Sequence, residues 1–369
     1  MTVAQPGQVA GPCSNMLLSI SFDPKAISSM TRSRFAQFAL AALLAIAVSR
    51  LTSAQVIDLT VNDVGLAIGD KPRVTGLRIN FRDRNLVEAN GVNFTIWSPY
   101  TPATGTVNGF ALGVPATGAK IINGFAVGAL GVGAEQSITG LGVGLVGLGS
   151  GGRIRGIMIG GVGVGSGGGS EGLTIGGLGV GSGGAMRGVQ IGGIGVGGSG
   201  DITGISVGGI GVGGGGAVKG IAIGGIGVAG GGSFTGIGIG GIGVGGAGPM
   251  TGLMIGGIGV GSGGRMKGVG IGGVGVGAPA IDGVAISAVG VGSVNVRAIV
   301  LTGAYFKVEK DGYFQGGALA AVNNIRGEQH GLTLGLFNYA RELHGAQVGI
   351  INVSDNGGSR RVLPIISVR

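Results

Sequence analysis

Cysteine is nearly missing from this sequence: Cys13 is the only one in 369 residues, which excludes disulfides within the chain and cysteine-based zinc sites. Histidine is almost as scarce. His330 and His344 are the only two, and they leave little for metal binding or acid–base chemistry. Proline supplies 10 residues, aromatics 4% and charged residues 11% of the chain. With so little proline and no Gly-X-Y triplet, the 93 glycines do not make a collagen. An apolar share of 44% and a mean hydropathy of +0.56 exclude a simple disordered linker. What remains is an apolar, glycine-rich chain whose architecture is more legible than its chemistry.

The first recognisable segment is residues 30–54. Arg32 and Arg34 precede an apolar run from Phe35 to Val48, and small residues follow as far as Ala54. Such a run is shorter than the roughly 20 residues of a membrane span, and Thr52 and Ala54 suit the −3 and −1 sites of a signal peptidase. The segment is read as a secretory signal peptide cleaved between Ala54 and Gln55, with an uncleaved signal anchor as the alternative. Residues 1–29 are then an extension from an upstream start, without a fold, and Cys13 leaves with them. After Ala54 there remain 20 basic and 14 acidic residues, so the formal charge of +9 falls to +6. No Lys/Arg run interleaved with aromatics follows. Nucleic acid is therefore not an expected partner; acidic cell-envelope or surface polymers are, and membrane association stays open.

Beyond residue 55 the chain repeats itself. Blocks begin at Gly124, Gly140, Gly156, Gly172, Gly188, Gly204, Gly220, Gly236, Gly252 and Gly268, each sixteen residues after the last. The unit reads G-Φ-x-Φ-G-G-Φ-G-Φ-G-x-G-x-x-Φ-polar, with Φ apolar, as in Gly220–Thr235. Looser copies begin at Gly76, Gly91 and Gly109, and at Gly303, Gly317, Gly331 and Gly345 with a fourteen-residue spacing. A fixed period of this size signals stacked supersecondary units. Positions 2, 4, 7 and 9 are almost all Ile, Val or Leu, residue types that favour strands. The step from 4 to 7 is odd, and a bend at the glycines of positions 5 and 6 would let all four columns point inward. Position 15 adds a fifth inward column, with further corners at position 1 and within positions 10–13.

Three short strands per coil with apolar residues inside describe an all-β fold, a repeat β-solenoid with 14–16-residue coils stacked through parallel ladders. A lone coil orders too much backbone for the little it buries, so stacking is compulsory. The expected organisation is an N-terminal cap and first degenerate repeat over 55–90, the Gly-rich array over 91–297, and degenerate repeats with a cap over 298–369. The competing fold is an outer-membrane β-barrel. It is disfavoured by the few aromatics, by the terminal Ile365–Arg369 without an aromatic, and by the odd step, which spoils in/out alternation.

Chemistry is harder to find. The many G-x-G-x-x-G matches follow from the repeat itself, without the helix that would hold a phosphate. Isolated acids such as Asp201 do not supply the Asp per turn of a calcium-binding β-roll. Position 16 is a polar column (Thr139, Arg155, Glu171, Arg187, Thr203, Lys219, Thr235, Thr251, Lys267), read as a solvated edge in which Arg155, Glu171 and Arg187 stack with alternating sign. Lys219 interrupts the threonine column that an ice-binding face would need. Asn324, Asn338 and Asn352 recur every fourteen residues and read as turn-stabilising residues, with a stacked hydrogen-bonded ladder as the alternative. His330 and His344 fall one coil apart and read as surface turn residues, while Phe94, Trp97 and Tyr100 read as cap packing. No catalytic, cofactor-binding or metal-ligating residue is assigned, and no cofactor is expected.

Three phrases carry a likeness: Asn90–Trp97 (NGVNFTIW), Asn108–Gly113 (NGFALG) and Gly331–Gly345 (GLTLGLFNYARELHG). They resemble the N-G-Φ-x-Φ-G-Φ-x-N repeats of bacterial glycine-rich surface repeat-containing proteins, and the likeness covers most of residues 76–356. The central blocks depart from that pattern by replacing Asn and large side chains with Gly. The resemblance implies export and repetition and transfers no catalytic residues. The function expected is that of an exported, non-enzymatic structural or surface-interaction repeat protein placed at the cell surface, in the periplasm or at the outer membrane; the alternative is an outer-membrane barrel channel.

Overall fold

The computed structural model describes residues 56–369; the expected signal peptide and the upstream extension lie outside the described residues. The chain winds into a β-solenoid of about 18 turns, which at one strand spacing per turn is about 85 Å long. Successive coils pair in parallel, residue for residue: Ile205 lies against Ile221 and Val207 against Ile223, and the same columns continue into Ile237 and Ile239. Among the described residues the only antiparallel pairs are at the two ends, where Ile57–Val61 folds onto Val64–Ile68 and Arg361–Val368 closes over Ala346–Ser354. A barrel wall is built from antiparallel neighbours. The barrel alternative is therefore overturned.

The coil Gly220–Thr235 shows how sequence becomes shape. Its first strand, Val218–Gly224, bends at Gly220, where φ is +115°. Such a φ disfavours any L side chain, and a Cβ here would sit inside the van der Waals shell of the Gly204 carbonyl oxygen in the coil before. Gly225 and Ile226 turn the second corner, Gly227–Gly230 is the next strand, and Gly231 and Gly232 turn the third. Corner amides are not left bare. Ile226 N–H donates to the Ile210 carbonyl at 2.6 Å and Gly231 N–H to Gly214 at 2.7 Å, so corners and strands alike satisfy their backbone groups through the neighbouring coil.

The bends agree in position with the sequence pattern, but the one at Gly220 lies inside an unbroken strand, so a central coil holds two strands and not three. The direction of three columns is also reversed. Columns 9 and 15 point inward as expected: Val228 is 2% exposed and Phe234 is fully buried. Columns 2, 4 and 7, expected inside, are outside. Ile223 is 37% exposed and Ile226 49%, and Ile221 is half-buried. Simple β alternation explains the correction. From Phe234 onward the chain alternates in and out through Thr235, Gly236, Ile237, Gly238 and Ile239 without losing step at the bent glycine. The inward members of that side are Gly, the variable position 3, and Gly again. A Cβ on Gly224 would run into the Gly227 carbonyl, so the interior is too narrow there for isoleucine.

The core is instead filled by columns 3, 9 and 15. Column 3 changes at every coil (Met158, Thr174, Gln190, Ser206, Ala222), and all of these residues are buried. Toward the C terminus the filling changes character. Column 9 passes from Val291 to Phe306, then to Asn323, Asn338 and Asn352. The three asparagines form a buried amide ladder, with Asn323 Nδ2 donating to Asn338 Oδ1 and Asn338 Nδ2 to Asn352 Oδ1, each at 2.7 Å. Asn324, expected together with Asn338 and Asn352, is not in it: Asn324 points outward and its Nδ2 donates to the Tyr305 hydroxyl at 2.6 Å. The glycine spacing is corrected as well. Column 1 runs through Gly283, Ala298, Gly316 and Gly331, so Gly303 and Gly317 are not its members.

Candidate interaction surface

Because strands alternate, every coil exposes the same few columns, and parallel stacking turns them into stripes along the solenoid. Column 4 begins at Ile68, which pairs with Ile79, and runs level by level to Leu334 and Val348. Column 2 begins at Leu66 and ends at Ala346. Neither column holds a charged residue at any level. Column 7 lies on the adjoining corner, where Leu178, Ile194, Ile210, Ile226, Ile242 and Ile258 are all exposed. The result, on the outside where a monomer in water ordinarily keeps apolar patches small, is a continuous apolar face, aliphatic except for Phe94, Phe110 and Phe125 near its N-terminal end.

The other two sides differ. From Gly131 to Gly292 columns 8 and 10 carry almost only glycine, giving a flat side of bare backbone that gives way to Tyr305, Lys307, Val322 and Asn324 in the C-terminal coils. At Gly213 a Cβ would meet nothing within 4 Å, so sterics do not demand glycine there. The third side carries the polar column 16. Glu171 bridges two arginines, its carboxylate accepting from Arg155 Nε at 2.8 Å and Arg187 Nη1 at 3.4 Å, as the alternating charges suggested. The hydrogen bond from Arg155, and then the charge of Arg187, hold the Glu171 carboxyl below its usual range. Lys219 lies between Thr203 and Thr235 and breaks the threonine run. Asp201 serves its turn, accepting the Ala217 amide at 2.8 Å.

The ends hold the remaining polar clusters. At the N-terminal end column 3 becomes Arg78, fully buried; its guanidinium donates to Asp83, to Asp70 at 2.8 Å and to Asn93 at 2.8 Å. Sequence reasoning missed this plug, and the only available signal was the substitution of Arg into a column otherwise read as variable. Trp97 stacks on Phe81 with ring centroids 6.4 Å apart, and both are exposed. Tyr100 lies against the guanidinium groups of Arg82 and Arg84, and its hydroxyl, accepting from Arg84, titrates below its ordinary range. Phe94 is half-buried within column 4. At the other end His330 and His344 do lie one coil apart, stacked at 4.9 Å, with Glu328 3.1 Å from His330 Nε2. No group of three or more metal-ligating side chains is gathered among the described residues.

Compared with protein families, curated proteins and solved structures, the chain matches none of them.

Proposed function

We propose that the protein is an exported, non-enzymatic repeat scaffold that works by presenting a long surface. The observation that carries this reading is the aliphatic face of columns 2 and 4, uncharged at every level from Leu66 and Ile68 to Ala346 and Val348. The core does not use these side chains, and a large exposed apolar patch marks an interaction site. The N-terminal pattern of residues 30–54 and the likeness to bacterial surface repeat proteins add export to that reading. The polar column 16 and the end clusters keep the other surfaces hydrated. The channel reading has lost its barrel and is not retained.

The test is expression of the full chain in a Gram-negative host, followed by fractionation and N-terminal sequencing. A product beginning at Gln55 outside the cytoplasm, or accessible to protease on intact cells, is expected. A cytoplasmic product retaining residues 30–54 would contradict export.

A further inference from the structure

Resting on the reading as a surface-presenting scaffold, we infer that the aliphatic face packs against the same face of a second copy of this chain, forming a closed face-to-face dimer. Four observations lead there. The first is regularity. Stacked parallel coils place Ile175, Ile191, Val207 and Ile223 one above the next, at a spacing of about 4.8 Å. Two copies therefore carry the same corrugation, and identical aliphatic ladders interdigitate into dry interfaces between facing sheets.

The second is area. A face about 80 Å long and roughly 10–14 Å wide offers on the order of 800–1,100 Å² per copy, so a pair buries about 1,600–2,200 Å², the size of a stable protein interface. The third is charge. The ionic groups nearest the face lie on column 16, where Arg155, Arg187, Lys219, Lys267 and Arg297 outnumber Glu171 and Asp282, and columns 2 and 4 themselves carry none. A lipid surface would call for Trp or Tyr at the boundary beside such a basic rim. Between Phe125 and Tyr305 the only aromatic residue is the buried Phe234.

The fourth is closure. The stack ends in antiparallel strands at Ile57–Val61 and Arg361–Val368, and Pro364 sits on the outermost strand, a residue that blunts a sheet edge against further pairing. The C-terminal edge is thus closed to further strands, and pairing through a single apolar face stops at two copies.

The test is sedimentation of the purified full chain at about 10 µM, without detergent, where a dimer is expected. Val207 and Ile223 lie near the middle of column 4, so either sense of a twofold axis keeps them inside the contact. V207K/I223K should raise the dissociation constant at least about 100-fold, a loss of roughly 2.8 kcal/mol at 1.4 kcal/mol per tenfold, with unchanged β-sheet circular dichroism. Should the lysine variant fail to fold, V207T/I223T keeps strand preference and should weaken pairing in the same direction. In a Cys13→Ser background, I223C should form a disulfide-linked pair under mild oxidation and G213C, on the glycine side, should not. A wild-type monomer at 100 µM, monomers that float with phosphatidylglycerol vesicles, or cross-linking through G213C but not I223C would overturn the pairing. An exported monomer would defeat the dimer alone; a cytoplasmic dimer would defeat export alone.

Discussion

Followed up the stack, the inward column 3 reads Met158, Thr174, Gln190, Ser206, Ala222, Gly238, Met254, while one residue further along the same strands the outward column 4 reads Ile159, Ile175, Ile191, Val207, Ile223, Ile239, Ile255. The buried column varies in size and polarity, whereas the exposed one stays β-branched at every one of these levels. Inside, neighbours solve packing pair by pair: a Cβ on Gly238 would lie 3.0 Å from the Phe234 ring and 3.2 Å from Met254 Sδ, so the small residue makes room for two large ones. Likewise Ser206 donates to the buried Gln190 Oε1 at 3.0 Å. Outside, each side chain meets the same column in the coils above and below, a ladder that β-branched residues favour, and its outer side is left to the proposed partner.

The comparison can be broken most severely by changing register. Deleting Gly220–Thr235 removes one whole coil and keeps every column in line, so a folded, protease-resistant product is expected. Deleting only Gly220–Gly227 sets corners against strands and should give an aggregated one. Glycine offers a sharper contrast. Gly220→Ala forces a side chain into a left-handed position against the Gly204 carbonyl and should cost at least about 1–3 kcal/mol in thermal or denaturant unfolding. Gly213→Ala enters open space and should be neutral or stabilise by about 0.4–1 kcal/mol.

The C-terminal coils test the same contrast with polar filling. Asn338→Leu strips Asn323 and Asn352 of their buried partner and should cost about 1–3 kcal/mol. Replacing all three asparagines by valine, the residue of column 9 in the central coils, should recover most of that loss. The smallest effect is expected at the N-terminal hairpin. Lys71 donates to Asp58 at 2.8 Å, and this hydrogen bond holds the Asp58 carboxyl down at about 2. A depressed carboxylate stabilises the fold above its ordinary value of 3.8, and the gain fades as pH falls toward 2. Amide exchange of Ile57–Ile68, corrected for intrinsic rates, should therefore quicken across that interval more than exchange in the central coils.

Much of the fold was legible because the period, the β-branched columns and the column 1 glycines are written at fixed spacing. Corners at Gly220, at Gly225–Ile226 and at Gly231–Gly232 fall where the glycines promised bends. The direction of Ile221, Ile223 and Ile226 was not legible, because apolar character alone does not say which side of a narrow coil has room; only backbone contacts such as that between Gly224 and Gly227 decide it. The surface was hidden for the same reason, since a regular aliphatic stripe reads as core until the core is seen to be full. Asn323 escaped notice because an extra residue between Ile325 and Glu328 shifts the pairing, making the step to Asn338 fifteen residues and not fourteen. Arg78 could be placed only once its partners Asp70, Asp83 and Asn93, scattered along the sequence, were brought together.

The central claim is that columns 4 and 9 face opposite ways, and one pair of variants tests it. Val228→Asp puts an unpaired carboxylate into the core at a cost of several kcal/mol, whereas Ile223→Asp puts one on the outer face. Measured by β-sheet circular dichroism and limited proteolysis at 25 °C, V228D should lose the fold of its neighbouring coils, while I223D should keep the wild-type spectrum and lose only association. An I223D chain as unfolded as V228D, or a folded V228D beside an unfolded I223D, would contradict the account.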